Sequence, residues 1–242
     1  MTPAPAPPMI AVPAAIAPLL LVGSPATGWQ DAVADLAATC GRALERPAAG
    51  EWSGAGGEPA AVVVLEGRGA AVDRERRAQV QRIARRRPVV WHDPGPDPHP
   101  VAGATLVVLG LASLAGAEGG RLPRTATAIG RAAARLAQRQ AVHMVAIVLD
   151  DGDAIVARCD GTAARVVGRR RGRSTVPDAA TVAARAAAEL ADGALPEEAV
   201  RLALATVGRE GGSPGRTPRV ERGTDGSLAV VPGAVQTLRS AR

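Results

Sequence analysis

Apolar residues in this chain fall into short unbroken runs separated by longer stretches with helical spacing. Ala60–Leu65, Arg87–His92, Thr105–Leu109 and Val142–Leu149 each carry a core of Val, Leu, Ile, Ala or Trp. A strand with one wet face alternates apolar and polar residues, whereas continuous runs suit strands covered on both faces, as in a parallel sheet. Pro18–Gly23 predicts a first strand of the same kind. Ala154–Cys159 predicts a partner for Val142–Leu149 across the acidic turn Asp150–Asp153, and this antiparallel pair is expected at the edge or end of the sheet.

Between the runs lie predicted helices. Trp29–Leu44 has apolar residues at 29, 33, 36, 37, 40 and 44, and Val72–Arg86 has them at 72, 80, 83 and 84 beside a dense Arg face. Leu111–Ala115 predicts a short helix and Pro123–Gln140 a long Ala/Arg helix. An Arg-rich loop follows Cys159, and a helix then begins near Ser174–Asp178 and ends at Asp192–Gly193. Another runs from Pro196 to about Gly208, and a short strand (Leu228–Val231) and a last helix (Gly233–Ser240) close the chain. Strands alternating with helices imply βαβ units and a three-layer αβα architecture around a mostly parallel sheet. Residues 1–17, rich in Pro and Ala, read as a disordered tail, and 18–242 as a single domain.

Composition changes the picture in two ways. With 242 residues and 47% hydrophobic content a sizeable core is available, but there is no Phe and no Tyr, so Ala, Val and Leu must fill it. There is also no Lys and no Asn, so all 29 basic residues are Arg. The residues that are missing share AT-rich codons, which points to a GC-rich genome. The net charge of +6 is discounted accordingly: it allows nucleic-acid or membrane-surface contact but does not argue strongly for either. Cys40 and Cys159 have no pairing spacing, which excludes a disulfide scaffold and a Cys-based zinc site and leaves both as buried small residues. The apolar run Met9–Val22 is broken by Pro13 and Pro18, lacks a basic flank and is too short to span a bilayer, so the chain reads as cytoplasmic with no membrane contact.

Candidate chemistry clusters at the turn entering the helix after residue 174. A helix start offers unused N–H donors and a partial positive charge, which suits a phosphate. Asp178 is a carboxylate in that first turn, and it also fits a plain helix start with Ser174 or Thr175 as cap and Pro177 at the first helical position. Asp150, Asp151 and Asp153 fit magnesium, and fit a strand-to-strand turn with Gly152 better. His92, Asp93 and His99 lack the spacing of a metal site, and His143 reads as a core or edge histidine. The Arg runs 85–87 and 169–171 read as a solvated helix face and an exposed loop, the second also able to clamp an anion.

The order of the pieces resembles a known family. Ala61-Val-Val-Val-Leu-Glu-Gly-Arg-Gly, then an Arg-rich helix, then Arg87-Pro-Val-Val-Trp-His-Asp-Pro, then Val101-Ala-Gly-Ala-Thr-Leu-Val-Val-Leu, is similar to the middle of ribokinase-like (PfkB family) sugar kinases. The similarity is greatest to the heptose-phosphate kinase part of ADP-heptose synthesis proteins. Ala191-Asp-Gly-Ala-Leu-Pro-Glu-Glu-Ala-Val-Arg-Leu-Ala resembles the phrase linking that family's last two core helices. The resemblance covers roughly residues 60–210. It implies a ribokinase-like α/β fold, shortened at its N-terminal side, and ATP with Mg²⁺ as cofactors of an active enzyme. Asp150, Gly152, Arg173, Ser174 and Thr175 are the candidate nucleotide contacts, and Asp178 is the candidate base if the loop is re-registered.

The chain also departs from that pattern. The family's Gly-Ala-Gly-Asp signature falls on Pro177-Asp178-Ala179-Ala180, which puts Ala180 at the position of the base and a residue without an N–H at the first glycine. Asp178 lies two residues early, about 200° around a helix. The Pro-Asn and Glu expected after the Thr105–Leu109 strand are missing, with Glu118 the nearest acid, and the family's sugar-binding turn and β-lid have no clear counterpart. Three functions follow. The first is a kinase-like subunit without efficient phosphotransfer, with a sugar-phosphate or nucleotide ligand and a protein partner or homodimer. The second is a divergent active sugar or sugar-phosphate kinase. The third is an Arg-rich anion or nucleic-acid binding module.

Overall fold

The continuous apolar runs become the middle of one sheet. The computed structural model describes residues 19–23, 44–45, 59–65, 74–168, 178–207 and 235–237. Among these are nine strands: β1 (Leu19–Gly23), β2 (Leu44–Glu45), β3 (Ala61–Leu65), β4 (Val89–His92), β5 (Leu106–Gly110), β6 (Met144–Val148), β7 (Ala154–Arg158), β8 (Ala163–Val166) and β9 (Val235–Thr237). Five helices accompany them: α1 (Arg74–Ile83), α2 (Leu111–Ala117), α3 (Ala126–Arg139), α4 (Ala179–Ala191) and α5 (Pro196–Val207). The strands lie side by side in the order β2-β1-β3-β4-β5-β6-β7-β8-β9. The first six are mutually parallel and the rest antiparallel.

Both faces of the sheet are covered. Val62, Val64, Val89, Trp91, Val107, Leu109, Val145 and Ile147 face one way, onto Val80 of α1, Leu114 of α2 and Ile129, Ala133, Leu136 and Ala137 of α3. Val63, Val90, Leu106, Val108 and Ala146 face the other way, onto Val182, Ala183, Ala186 and Ala187 of α4 and Val200, Ala203 and Leu204 of α5. This is the three-layer αβα arrangement that the unbroken runs predict. Each layer packs through small side chains. On α4 most of the contact residues are Ala, which lets the helix backbone lie close on the sheet. Trp91 is the exception, a large ring fully buried in an Ala/Val/Leu surround with the Arg77 guanidinium 5.1 Å from its centre.

Several expectations are corrected. The stretch after Cys159 contains β8, which pairs with β7 across a turn where Gly161 has φ 92°. The 142–159 hairpin is therefore not the edge of the sheet, because β8 and β9 continue it. The expected last helix at 233–240 holds β9 instead, where Val235, Gln236 and Thr237 pair with the otherwise open side of β8. Two of those three residues are β-branched, and a waiting strand edge rewards an extended backbone over an isolated short helix. Cys159 is exposed rather than buried, because it sits at the β7–β8 turn. His143 lies just ahead of β6 and is exposed. The expected disordered tail, all but the last residue of the Trp29–Leu44 helix and the Leu228–Val231 strand lie outside the described residues, and Leu44 itself is in β2.

The Asp93–Pro100 loop is held by a local turn at its start and by a close backbone contact with α2. Asp93 Oδ1 accepts the Gly95 N–H at 2.7 Å, and the Pro96 carbonyl lies against Gly116 of α2. A Cβ at Gly116 would stand 2.3 Å from the Pro96 oxygen, a backbone atom that cannot swing away. Gly116→Ala should therefore cost about 1–3 kcal/mol, as overpacked sites do, read as a lower midpoint in urea unfolding at unchanged slope. An unchanged midpoint would mean that the loop yields freely and is not held by this contact.

Candidate functional site

Because β1, β3, β4, β5 and β6 are parallel, their last residues lie along one edge of the sheet. Paired registers link Gly23 to Leu65, Leu65 to His92, His92 to Val108 and Gly110 to Val148. The antiparallel strands bring Asp153 and Val167–Gly168 to the same edge, since Val148 pairs with Ala154 and Ala154 with Val166. In open α/β sheets this carboxyl edge is where ligands bind.

Helix α4 delivers its N-terminus there. Its later residues Ala184 and Ala188 pack on Leu19 and Ala61, at the opposite edge of the sheet. Its start, Asp178, is close enough to His92 for the two charges to interact. The helix begins at Asp178 because the backbone there is extended and the carboxylate accepts the Ala180 N–H at 3.3 Å. Asp178 is thus the cap itself, in place of Ser174 or Thr175. Asp178 is exposed, so its carboxylate is open to solvent at this end of the helix. Ala180 is 1% exposed and turned into the core.

His92 sits beneath this helix start. It follows Val90 in the strand alternation and so faces the α4 layer. Nδ1–H donates to the Val108 carbonyl at 2.7 Å, which fixes the ring and its tautomer. Burial lowers its pKa from the ordinary 6.5, while the Val108 carbonyl, Asp178 and Asp93 pull the other way. The ring is held neutral at a carboxylate-lined edge.

The acidic turn has a structural role. Leu149 to Asp153 form a hairpin turn with Gly152 at φ 83°, a conformation that glycine adopts without strain. Asp153 is buried and accepts the Gly168 N–H at 3.0 Å and two Arg165 donors at 2.8 and 2.6 Å. Asp151 also accepts from Arg165, at 2.8 Å. Two of the three acids are therefore committed to β8 and do not converge on a cation, and Asp150 is left exposed at the turn. Among the described residues no group of three His, Cys, Asp or Glu side chains could hold a metal ion. His99 pairs with Asp97 at 3.1 Å and is exposed, away from buried His92. Glu118 lies at the far end of α2, where Arg135 and Arg139 of α3 hold it, so it does not supply the acid expected after β5.

Of the sequence candidates, Asp150, Gly152 and Asp178 all lie along this edge. Arg173, Ser174 and Thr175 lie outside the described residues. The closeness of His92 to Asp178 was not legible, because no spacing links residues so far apart in the chain. The Asp153–Arg165 pair was hidden with the strand that carries Arg165.

No protein-family model matches the chain, and no curated protein does. Solved structures do. Pyridoxal kinase from Staphylococcus aureus in complex with AMP-PCP and pyridoxal is 17% identical, with 79% of this chain and 86% of that chain covered and a TM-score of 0.58. The same enzyme with pyridoxal gives 15% identity, 80% and 87% coverage and a TM-score of 0.60. An ADP complex of Bacillus subtilis pyridoxal kinase is 15% identical over 76% of this chain and 87% of that one, at a TM-score of 0.54. The α/β fold seen here is the ribokinase-like fold of these kinases. Among the described residues no helix is long and apolar enough to cross a membrane.

The buried neutral His92 sets a pH dependence with a definite sign. Its folded pKa lies below 6.5, so as pH falls the unfolded chain takes up the proton first. The stability that His92 contributes is complete above 6.5 and is lost as pH drops through 6.5 toward the folded value. Urea unfolding followed from neutral to mildly acidic pH should show that loss, and His92→Gln should flatten it across the same window. A mutant with the wild-type slope would locate the titrating group elsewhere.

Proposed function

We propose that this chain is a ribokinase-like nucleotide- or sugar-phosphate-binding protein in which efficient phosphotransfer has been lost, acting as a ligand-binding or partner subunit. The observation that carries the reading is Ala180. Counting from the linking phrase at 191–203, this is where the family resemblance expects the proton-accepting Asp, and here it is a methyl group 1% exposed inside α4. A methyl group can neither take a proton nor orient a hydroxyl. The binding half of the machinery is favoured by the helix start at the carboxyl edge, by the fixed His92 beneath it and by the neighbours that were solved with AMP-PCP or ADP. A sugar phosphate, rather than a vitamin, as the second ligand rests on the resemblance of residues 61–69, 87–94 and 101–109 to heptose-phosphate kinases.

The carboxylate of Asp178 shapes the ligand chemistry. It lies at the positive end of α4 and uses one of its donors, so it repels a bare phosphate that approaches there. ATP binding should therefore depend on Mg²⁺, with the nucleotide's own phosphates holding the ion. The same exposed carboxylate supports a second reading, an active divergent kinase in which Asp178 takes the proton that Ala180 cannot.

Calorimetric titration with ATP, with and without Mg²⁺, on wild type and Asp178→Ala separates these readings. We expect Mg²⁺-dependent binding in wild type, equal or tighter binding in the mutant, about a tenfold gain for metal-free ATP on losing the repelling charge, and no sugar-phosphate or pyridoxal turnover in either. Turnover in wild type that disappears in Asp178→Ala would establish the active kinase instead. No binding at millimolar ATP would end the nucleotide reading.

A further inference from the structure

The two helical layers carry opposite charge. Described residues 74–87 and 111–139, which hold α1, α2 and α3, contain twelve Arg against two Glu. The opposite layer, 178–207 with α4 and α5, contains two Arg against five Asp and Glu. A GC-rich genome explains why every base is Arg, but it writes both layers and does not sort charge between them. On the basic layer Arg74, Arg82, Arg85, Arg121, Arg124 and Arg131 are exposed. Arg135 and Arg139 are exposed as well while sharing Glu118, one of the two acids present. The face is therefore strongly positive over α1 and α3 together, which neither Arg run displays when read singly along the chain.

From this we infer that the α1–α3 layer is a docking surface for the phosphate backbone of a nucleic-acid duplex, independent of sequence. Charge complementarity selects a polyanion. The rest of the surface selects the class. Leu122 is the only large exposed apolar residue described on this layer, so it lacks the apolar core and aromatic anchors of a protein interface. It equally lacks the apolar stripe that an interfacial helix sinks into lipid. Trp91 is fully buried, so no described aromatic side chain is offered for stacking unpaired bases. Charge spread over two convex helices, with nothing to read a base edge, fits backbone contact alone. The surface lies on the opposite side of the sheet from α4, so the inference stands or falls apart from the nucleotide reading.

The test is fluorescence anisotropy of the full chain with a labelled random-sequence duplex of about 20 base pairs over a salt series. We expect binding that weakens steeply with salt and persists in excess Mg·ATP. Arg82→Gln/Arg85→Gln/Arg124→Gln/Arg131→Gln should bind about 30-fold more weakly at low salt, with a salt slope shallower by about three to four. The α1 pair and the α3 pair are made separately as well, each checked for unchanged melting, so that a folding defect in the fourfold variant is recognised. Arg169→Gln/Arg170→Gln/Arg171→Gln should bind as wild type does. The inference is overturned if the well-folded face variants keep wild-type affinity, if the 169–171 variant accounts for the loss, or if the chain binds anionic phosphatidylserine vesicles and not the duplex.

Discussion

Everything in this structure depends on burying both faces of a parallel sheet without bulky side chains. The central strands present Val, Leu and Ala to helices on either side, and neither face can be left wet. With no Phe or Tyr available, the gap is closed by bringing helices near rather than by filling space with rings. Helix α4 shows the consequence. Ten of its positions are buried and seven of those are Ala, so it lies almost flush on β1, β3, β4 and β5. A small-residue core of this kind tolerates little movement, because close packing supplies the contacts that larger side chains would otherwise make.

That approach also determines the site. A helix pressed along the sheet, with its C-terminal half at one edge, must present its N-terminus at the other, beside the last residues of the parallel strands. The cap residue Asp178 and the fixed ring of His92 come close there, and the turn at Gly152 lies along the same edge, as a result of topology. The same packing turns Ala180 into the core. An acid at that position in the present register would face buried alkyl groups, at the cost of desolvating a charge. The alanine at position 180 and the tight Ala packing of α4 are therefore one structural fact.

What could be read in advance follows from the range over which each signal acts. The runs 61–65, 89–92 and 106–109 marked central strands because burial on two faces leaves a local pattern. β8 left almost none, since Ala163, Ala164 and Arg165 are only half-buried and the segment reads as loop. Its one local cue was Asp160-Gly161, a turn-forming pair between two extended segments. β9 had no cue of its own, for its conformation is imposed by the free edge of β8. Asp178 was legible as a helix start. Its proximity to His92, the engagement of Asp153 by Arg165 and the sorting of Arg onto one layer arise only when distant segments pack.

The most direct test of the account is amide hydrogen exchange with and without Mg·AMP-PCP. If the α4 start at the carboxyl edge is a nucleotide site, protection should increase at residues 178–182 and at the ends of β4 and β5, around 92–93 and 108–111, and stay unchanged on α1 and α3. Protection confined to the Arg-rich layer, or none at all at saturating nucleotide, would contradict it.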